Sequence, residues 1–259
     1  VSQHSTEFEA TDRGLTLTNA ILLYRNGPQR TAAFASMHAV EHGEGQPTIA
    51  AGAPLTRAHL RQWTAALGRA APPEILPDNV LVSHPDVLAW WVPEQVRTAY
   101  FALSSPAADL RALRQRTTVD LPYPAHLLVA TRKGLGVYAL PESKRPGAET
   151  LVLFSPVLNV FIDGRLCWGN IPQPKTLTIA SIAEYERAVF DSWSTHPNPG
   201  QEKTVSGKGG LVRLWDNLAA RGTKRFPVKR LRPFVFSRST RNEGAPVTVG
   251  SLIARSTHA

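Results

Sequence analysis

The chain has 259 residues, 42% apolar and 19% charged, with six Trp, nine Phe and five Tyr, which is enough to fill a core and excludes wholesale disorder. A single Cys excludes an internal disulfide framework and any iron–sulfur or Cys-rich zinc site built by one chain. The net charge of +9 is concentrated in Lys203–Arg241, where eleven Lys or Arg face one acid, Asp216, a balance that points to an anionic partner such as nucleic acid or an acidic protein face.

In chain order, Val1–Gly14 is polar and has no apolar signal-peptide core, and position 1 is Val rather than Met. Leu15–Leu23 and Thr31–Val40 read as strands around an Asn26-Gly27-Pro28 turn, followed by a loop at Gly43–Pro47. Thr56 caps a helix that carries Leu60, Trp63 and Leu67 and stops at Gly68. Ala70–Pro77, with three prolines, reads as a linker. The expected domains are therefore an N-terminal α+β unit over residues 1–72 and a second unit over 73–259. Short strands follow at Val80–Val82, Val87–Val92 and Thr98–Leu103, then a helix at Pro106–Arg116. Further strands are expected at Ala125–Thr131, Gly136–Leu140 and Thr150–Phe154, and helices at Ser181–Trp193 and Gly210–Ala220. Strands first and helices last predict α+β with an antiparallel sheet. No apolar run approaches the roughly 18 residues of a membrane span, so the expectation is a soluble, cytoplasmic protein.

Several chemistries lack their motifs. There is no G-x-S-x-G elbow and no G-x-G-x-x-G. Ser206-Gly-Lys208-Gly-Gly210 lacks the first Gly of a phosphate loop and has Gly209 where the magnesium-binding hydroxyl belongs. His38-Ala-Val-Glu41-His42 matches an H-x-x-E-H zinc pattern. That pattern chelates only on a helix, and on the strand expected here the two rings stand roughly 13 Å apart. The expectation is strand-end histidines and no metal.

Cys167 lies in an irregular, Gly- and Pro-bounded segment, Ser155–Asn170. An isolated Cys is most often a small buried hydrophobe. Here it follows the Gly164 turn, Arg165 lies two residues away, where its charge favours a thiolate, and Asn159 precedes it by eight residues. An Asn folded back beside a thiol offers an amide to a developing oxyanion.

The Asn159–Gly164–Cys167 spacing resembles the active segment of ubiquitin-conjugating enzymes, and Leu121-Pro-Tyr123-Pro124 resembles their Tyr-Pro element. Together with Tyr138-Ala-Leu140, Arg145-Pro146 and Gly164-x-x-Cys-Trp-Gly169, the chain looks like the prokaryotic ubiquitin-conjugating-enzyme-like family D, also called PRTRC system protein B. The His and Pro that precede the family's Asn are Val157 and Leu158 here. The resemblance implies a ubiquitin-conjugating-enzyme-like antiparallel sheet with flanking helices. It also implies a thioester carrier that takes a ubiquitin-like modifier onto Cys167 from a ThiF-like activating enzyme and passes it to an amine, without a cofactor of its own. Asn159 is then the oxyanion donor. His196, in the downstream His196-Pro197-Asn198, is a base for the incoming nucleophile, with a helix-ending turn as the competing reading. Asp191 is a further carboxylate near that turn. The other function read from the chain is a DNA-associated plasmid-maintenance factor, with a structural Cys and an anion-binding surface of Lys224, Arg225, Lys229, Arg230 and Arg232.

Overall fold

The computed structural model describes residues 16–25, 32–43, 46–66, 75–236 and 245–257. Contacts divide the chain into two units, Val1–Glu74 and Ile75–Ala259. In the first, β1 (Asn19–Arg25), β2 (Ala32–Glu41) and β3 (Thr48–Pro54) form an antiparallel sheet in that order. β3 is an addition to the sequence reading. Its Ala- and Gly-rich stretch carries little strand signal of its own, and pairing with β2 determines it. His38 lies within β2, with Nδ1 at 2.8 Å from the Ala50 carbonyl, and His42 Nε2 lies 2.7 Å from the Leu17 carbonyl. α1 (Arg57–Ala66) starts at Thr56, whose hydroxyl accepts the His59 N–H, while the Thr56 N–H donates back to His59 Nδ1. Residues 70–74 of the expected linker lie outside the described residues.

The second unit contains β4 (Val80–His84), β5 (Val87–Val92), β6 (Gln95–Phe101), β7 (Thr117–Tyr123), β8 (His126–Thr131), β9 (Gly134–Ala139) and β10 (Leu153–Phe154). Three helices follow: α2 (Ile182–Phe190), α3 (Gly210–Arg221) and α4 (Val249–Thr257). The main sheet is antiparallel with order β10-β9-β8-β5-β4, and β6 pairs with β7 as a separate hairpin between β5 and β8. Mixed helix and antiparallel sheet is the α+β class expected from the sequence.

β5 reads as an unbroken apolar run because both of its faces are covered. Leu88, Trp90 and Val92 alternate into a core shared with Tyr185, Val189, Leu211 and Trp215. Val87 and Ala89 point into a second core with Leu127, Val129, Phe234, Val249 and Leu252. α2 and α3 supply the first core, and α4 helps close the second.

The helix expected at Pro106–Arg116 is absent. The segment is a loop with Leu110 and Leu113 buried, and the N–H groups of Arg111, Ala112 and Leu113 donate to the Asp216 carboxylate at 2.9, 2.7 and 3.0 Å. Those donors converge on one buried anion and are lost to helix formation. β7 was not expected because Asp120 and Pro122 weaken its signal, and α4 because Gly250 and Ser251 weaken its own. Thr248 and Ser251 cap α4 reciprocally.

Burial works against the charge of Asp216, but the three N–H donors and Arg111 outweigh it and hold the carboxyl below the usual carboxylate range. The folded value is depressed, so its stabilisation is complete above about pH 4 and is lost as pH falls through the folded value. Asp216→Ala should cost about 2–4 kcal/mol, because three converging N–H donors, that of Leu113 buried, lose their acceptor. Urea unfolding at neutral pH checks this, and an unchanged midpoint would show that the loop finds other acceptors.

Candidate functional site

The segment after β10 turns back on itself as a tight hairpin. Val160 pairs with Leu166, the Phe161 N–H donates to the Arg165 carbonyl at 2.8 Å, and the Cys167 N–H donates to the Asn159 carbonyl at 2.7 Å. The turn closes through the Gly164 N–H on the Phe161 carbonyl at 2.9 Å, with Gly164 at φ +86°. Only Gly fits there, since an added Cβ would stand 2.3 Å from the Tyr138 ring. The same ring covers Gly136 on β9, so Tyr138 fastens the turn to the sheet. The second arm joins the edge of β9 through Leu166 N–H to Leu135 O and Val137 N–H to Gly164 O, each 2.8 Å.

Val160 and Leu166 point inward and are buried. Their neighbours Asn159 and Cys167 therefore share the opposite face, directly across the hairpin, with Cβ atoms about 5 Å apart by antiparallel geometry. Cys167 is half-buried and free.

The arm leading to Asn159 has no strand partner for its carbonyls, and side chains take that place. Trp215 Nε1 donates to Pro156 O at 2.8 Å, Gln201 Nε2 to Val157 O, and Asn198 Nδ2 to Leu158 O at 3.4 Å. With Cys167 N–H on Asn159 O, four successive carbonyls each have a donor. At the start of the arm, the Ser155 hydroxyl lies 3.3 Å from Nε2 of the fully buried His126, whose Nδ1 lies 2.7 Å from the Pro124 carbonyl. A carbonyl can only accept, so Nδ1 carries the proton and Ser155 donates to Nε2.

The structure thus brings Asn159 and Cys167 together. The Asn159 amide donates to Ser192 Oγ and to the Trp193 carbonyl, each at 3.2 Å, which ties it to the chain after α2. His196 is exposed, with Nδ1 2.9 Å from Thr195 Oγ1, and lines a cavity of about 390 Å³ with Leu103, Pro106, Pro197 and Val212. Among the described residues no hydrogen bond joins His196 to Asn159 or Cys167. In the same tripeptide it is Asn198, buried, that reaches the Cys segment. Asp191 is exposed at the end of α2. Arg165 is also exposed, and its guanidinium bonds Asp163 at 2.7 Å within the turn, so that charge is already paired.

Trp168, next to the Cys, meets Tyr185 edge-on at 6.3 Å and borders a cleft of about 250 Å³ with Arg132, Lys175 and Tyr185. Below it, Trp90 Nε1 donates to Glu186 at 3.0 Å. Burial raises the Glu186 carboxyl above its ordinary value, and Trp90 and Arg97 offset part of that.

In the basic segment Lys224, Arg225, Lys229 and Arg232 are exposed. Arg230 is half-buried and donates from Nε to the Ser206 carbonyl at 2.9 Å. In the glycine-rich loop, the Glu202 carboxylate accepts the Leu211 and Val212 N–H groups and fills the start of α3, where a phosphate would otherwise sit.

Ser192, Asn198, Gln201, Trp215 and His126 were missed in the sequence. The only local signal was the Asn198-Pro-Gly-Gln201 turn, whose Gln side chain accepts the Asn198 N–H at 3.0 Å.

Residues 57–234 match the family model of prokaryotic E2 family D. That span takes in α1, every strand from β4 to β10, the Cys hairpin, α2 and α3, so the chain is of the E2-like class. Within that class it belongs to prokaryotic E2 family D. No curated protein and no solved structure matches it.

Burial pushes the His126 ring down to about 4; the Pro124 carbonyl opposes this and Arg97 adds to it. The folded value lies below the unfolded value of about 6.5, so the contribution is intact above about pH 6.5. Between pH 6.5 and 4 stability should fall by up to about 1.4 kcal/mol per pH unit. Urea unfolding across that window should show the slope in the wild type and a shallower one in His126→Asn. Equal slopes would assign it to other groups.

Proposed function

We propose that Cys167 carries a ubiquitin-like modifier as a thioester, received from a ThiF-like activating enzyme and delivered to an amine. The observation that carries this reading is the Asn159–Cys167 pair, a half-exposed thiol held opposite an amide by the 2.7 Å hydrogen bond between their backbones. Family membership supports an E2-like role and, with it, an interaction with an activating enzyme or a modifier. The likeness to PRTRC system protein B supports a bacterial cassette as the setting. The chemistry belongs to the unit after residue 73, with no cofactor of its own.

In loading, the Cys167 thiolate attacks the acyl carbon of the modifier's thioester and the activating enzyme's thiolate leaves. In discharge an amine attacks the same carbon, the Cys167 thiolate leaves, and the amine gives up a proton. Both steps pass through an oxyanion. Asn159 serves it by turning one N–H away from Ser192 or Trp193, and His196 takes the amine proton.

The test is incubation with the cognate activating enzyme, modifier and ATP, read on a non-reducing gel. Wild type should give an adduct that reductant removes, Cys167→Ser an adduct that resists reductant or none, and Cys167→Ala none. Because Cys167 is the only cysteine, a reductant-sensitive adduct on Cys167→Ala would overturn the assignment.

Single-turnover discharge of the loaded protein separates the other two residues. Asn159→Ala should slow it about 10²–10³-fold at every pH, the scale of one lost oxyanion donor. His196→Ala should slow it mainly at low pH and recover as the amine deprotonates itself. A His196→Ala profile that overlays wild type throughout would remove His196 from the mechanism.

A further inference from the structure

The segment from Lys203 to Arg232 forms a charged face that the thioester chemistry does not use. The stretches 204–206 and 230–232 run side by side, with Ser206 N–H on Arg230 O at 2.7 Å and Arg232 N–H on Thr204 O at 2.9 Å. This pairing brings the backbone around Lys203 and Lys208 next to Lys229 and Arg232. Arg230 cements it through Ser206 O rather than projecting into solvent. α3 links this pair of stretches to Arg221, Lys224 and Arg225 at its far end, where Phe226 packs on Trp215 with ring centroids 5.4 Å apart.

All seven of these other cations are exposed, and among the described residues none makes an ion pair. The one acid of the segment, Asp216, binds the 111–113 loop, and Glu202 just before it caps α3. The seven cations therefore stand without a neutralising partner side chain among the described residues.

The composition of this face distinguishes among anionic partners. A protein interface is built around an apolar, often aromatic core from which charge is depleted. Here no large hydrophobic between Lys203 and Phe236 is exposed among the described residues. Single-stranded nucleic acid asks for aromatic rings on which bases stack. Phe226 and Phe234 are buried, at 6% and 1% exposure, and the Phe236 ring is covered by the Arg255 guanidinium at 3.8 Å. What remains is cations without rings or apolar anchors, the composition that meets a phosphate backbone without reading bases.

We infer that this face docks on the phosphate backbone of duplex nucleic acid, independently of sequence. It acts apart from Cys167, so the inference stands or falls without the thioester reading.

The experiment is fluorescence anisotropy of a labelled 24-base-pair DNA duplex with the full chain across a salt series. Binding should be equally tight on a scrambled duplex, unchanged by reductant or by Cys167→Ser, and steeply weakened by salt. The slope of log K against log salt should be about −4 to −6, as each phosphate contact contributes about 0.9. Replacing Lys224, Arg225, Lys229 and Arg232 together by Gln should flatten that slope by about 3 to 4. These side chains are exposed, so the variant should melt like wild type, and Arg230 is left in place to keep Ser206 anchored. Replacing Lys224 and Arg225 alone should remove about half of the effect. An absence of duplex binding at 50 mM salt, or an unaltered slope in the fourfold variant, would overturn the inference. Competition by polyglutamate on equal terms, charge for charge, would also overturn it and assign the face to an acidic protein.

Discussion

The structure depends most on how the carbonyls of Pro156, Val157, Leu158 and Asn159 are satisfied. A buried backbone oxygen without a donor costs about 1–3 kcal/mol, so four in a row cannot be left open. An ordinary sheet would supply a neighbouring strand. This chain supplies Trp215, Gln201, Asn198 and the Cys167 N–H instead. The position of the Cys hairpin is therefore written into residues that follow it by up to 59 positions from the first of these carbonyls. α3 acts in both directions, since Trp215 holds Pro156 while its neighbour Asp216 gathers the 111–113 loop. The segment carrying the thiol is thus held in part by side chains from the second half of the unit.

The sheet supplies the other support. β9 is paired with β8 along one edge, and its other edge is shared between β10 and the returning arm of the hairpin. Tyr138 lies over Gly136 and Gly164 at that junction and is buried, with its ring 4.9 Å from Phe234. The Gly pair makes room for the ring, and the ring fixes the turn. Asn159 and Cys167 face each other as a consequence of this register, since a slip of one residue would turn either side chain into the core.

Much of the framework was legible in the sequence because it is local. The apolar runs of β5 and β8, the spacing in α2 and α3, and the Asn159–Gly164–Cys167 pattern each carry their own signal. The rest was not, for physical reasons. The Pro106–Arg116 stretch has helix-favouring residues, yet a carboxylate more than a hundred positions away captures its N–H groups. β3 and β7 become strands only through their partners. In His196-Pro197-Asn198 the motif suggested a base, while the contact with the Cys segment comes from Asn198, whose role depends on a carbonyl that sequence cannot place beside it. Phe226 and Phe234, interleaved with the cations of the basic segment, are buried.

The central claim is that side chains clamped onto the 156–158 carbonyls keep Asn159 opposite Cys167. Hydrogen exchange at the Cys167 amide tests it most directly, because that N–H is the donor to Asn159. In wild type the amide should exchange slowly. In a variant carrying Asn198→Ala and Gln201→Ala it should exchange much faster, while the amide of Leu128 in the middle of β8 remains protected. Cys167 protection that is unchanged in that variant would contradict the account and leave the hairpin held by the sheet edge alone.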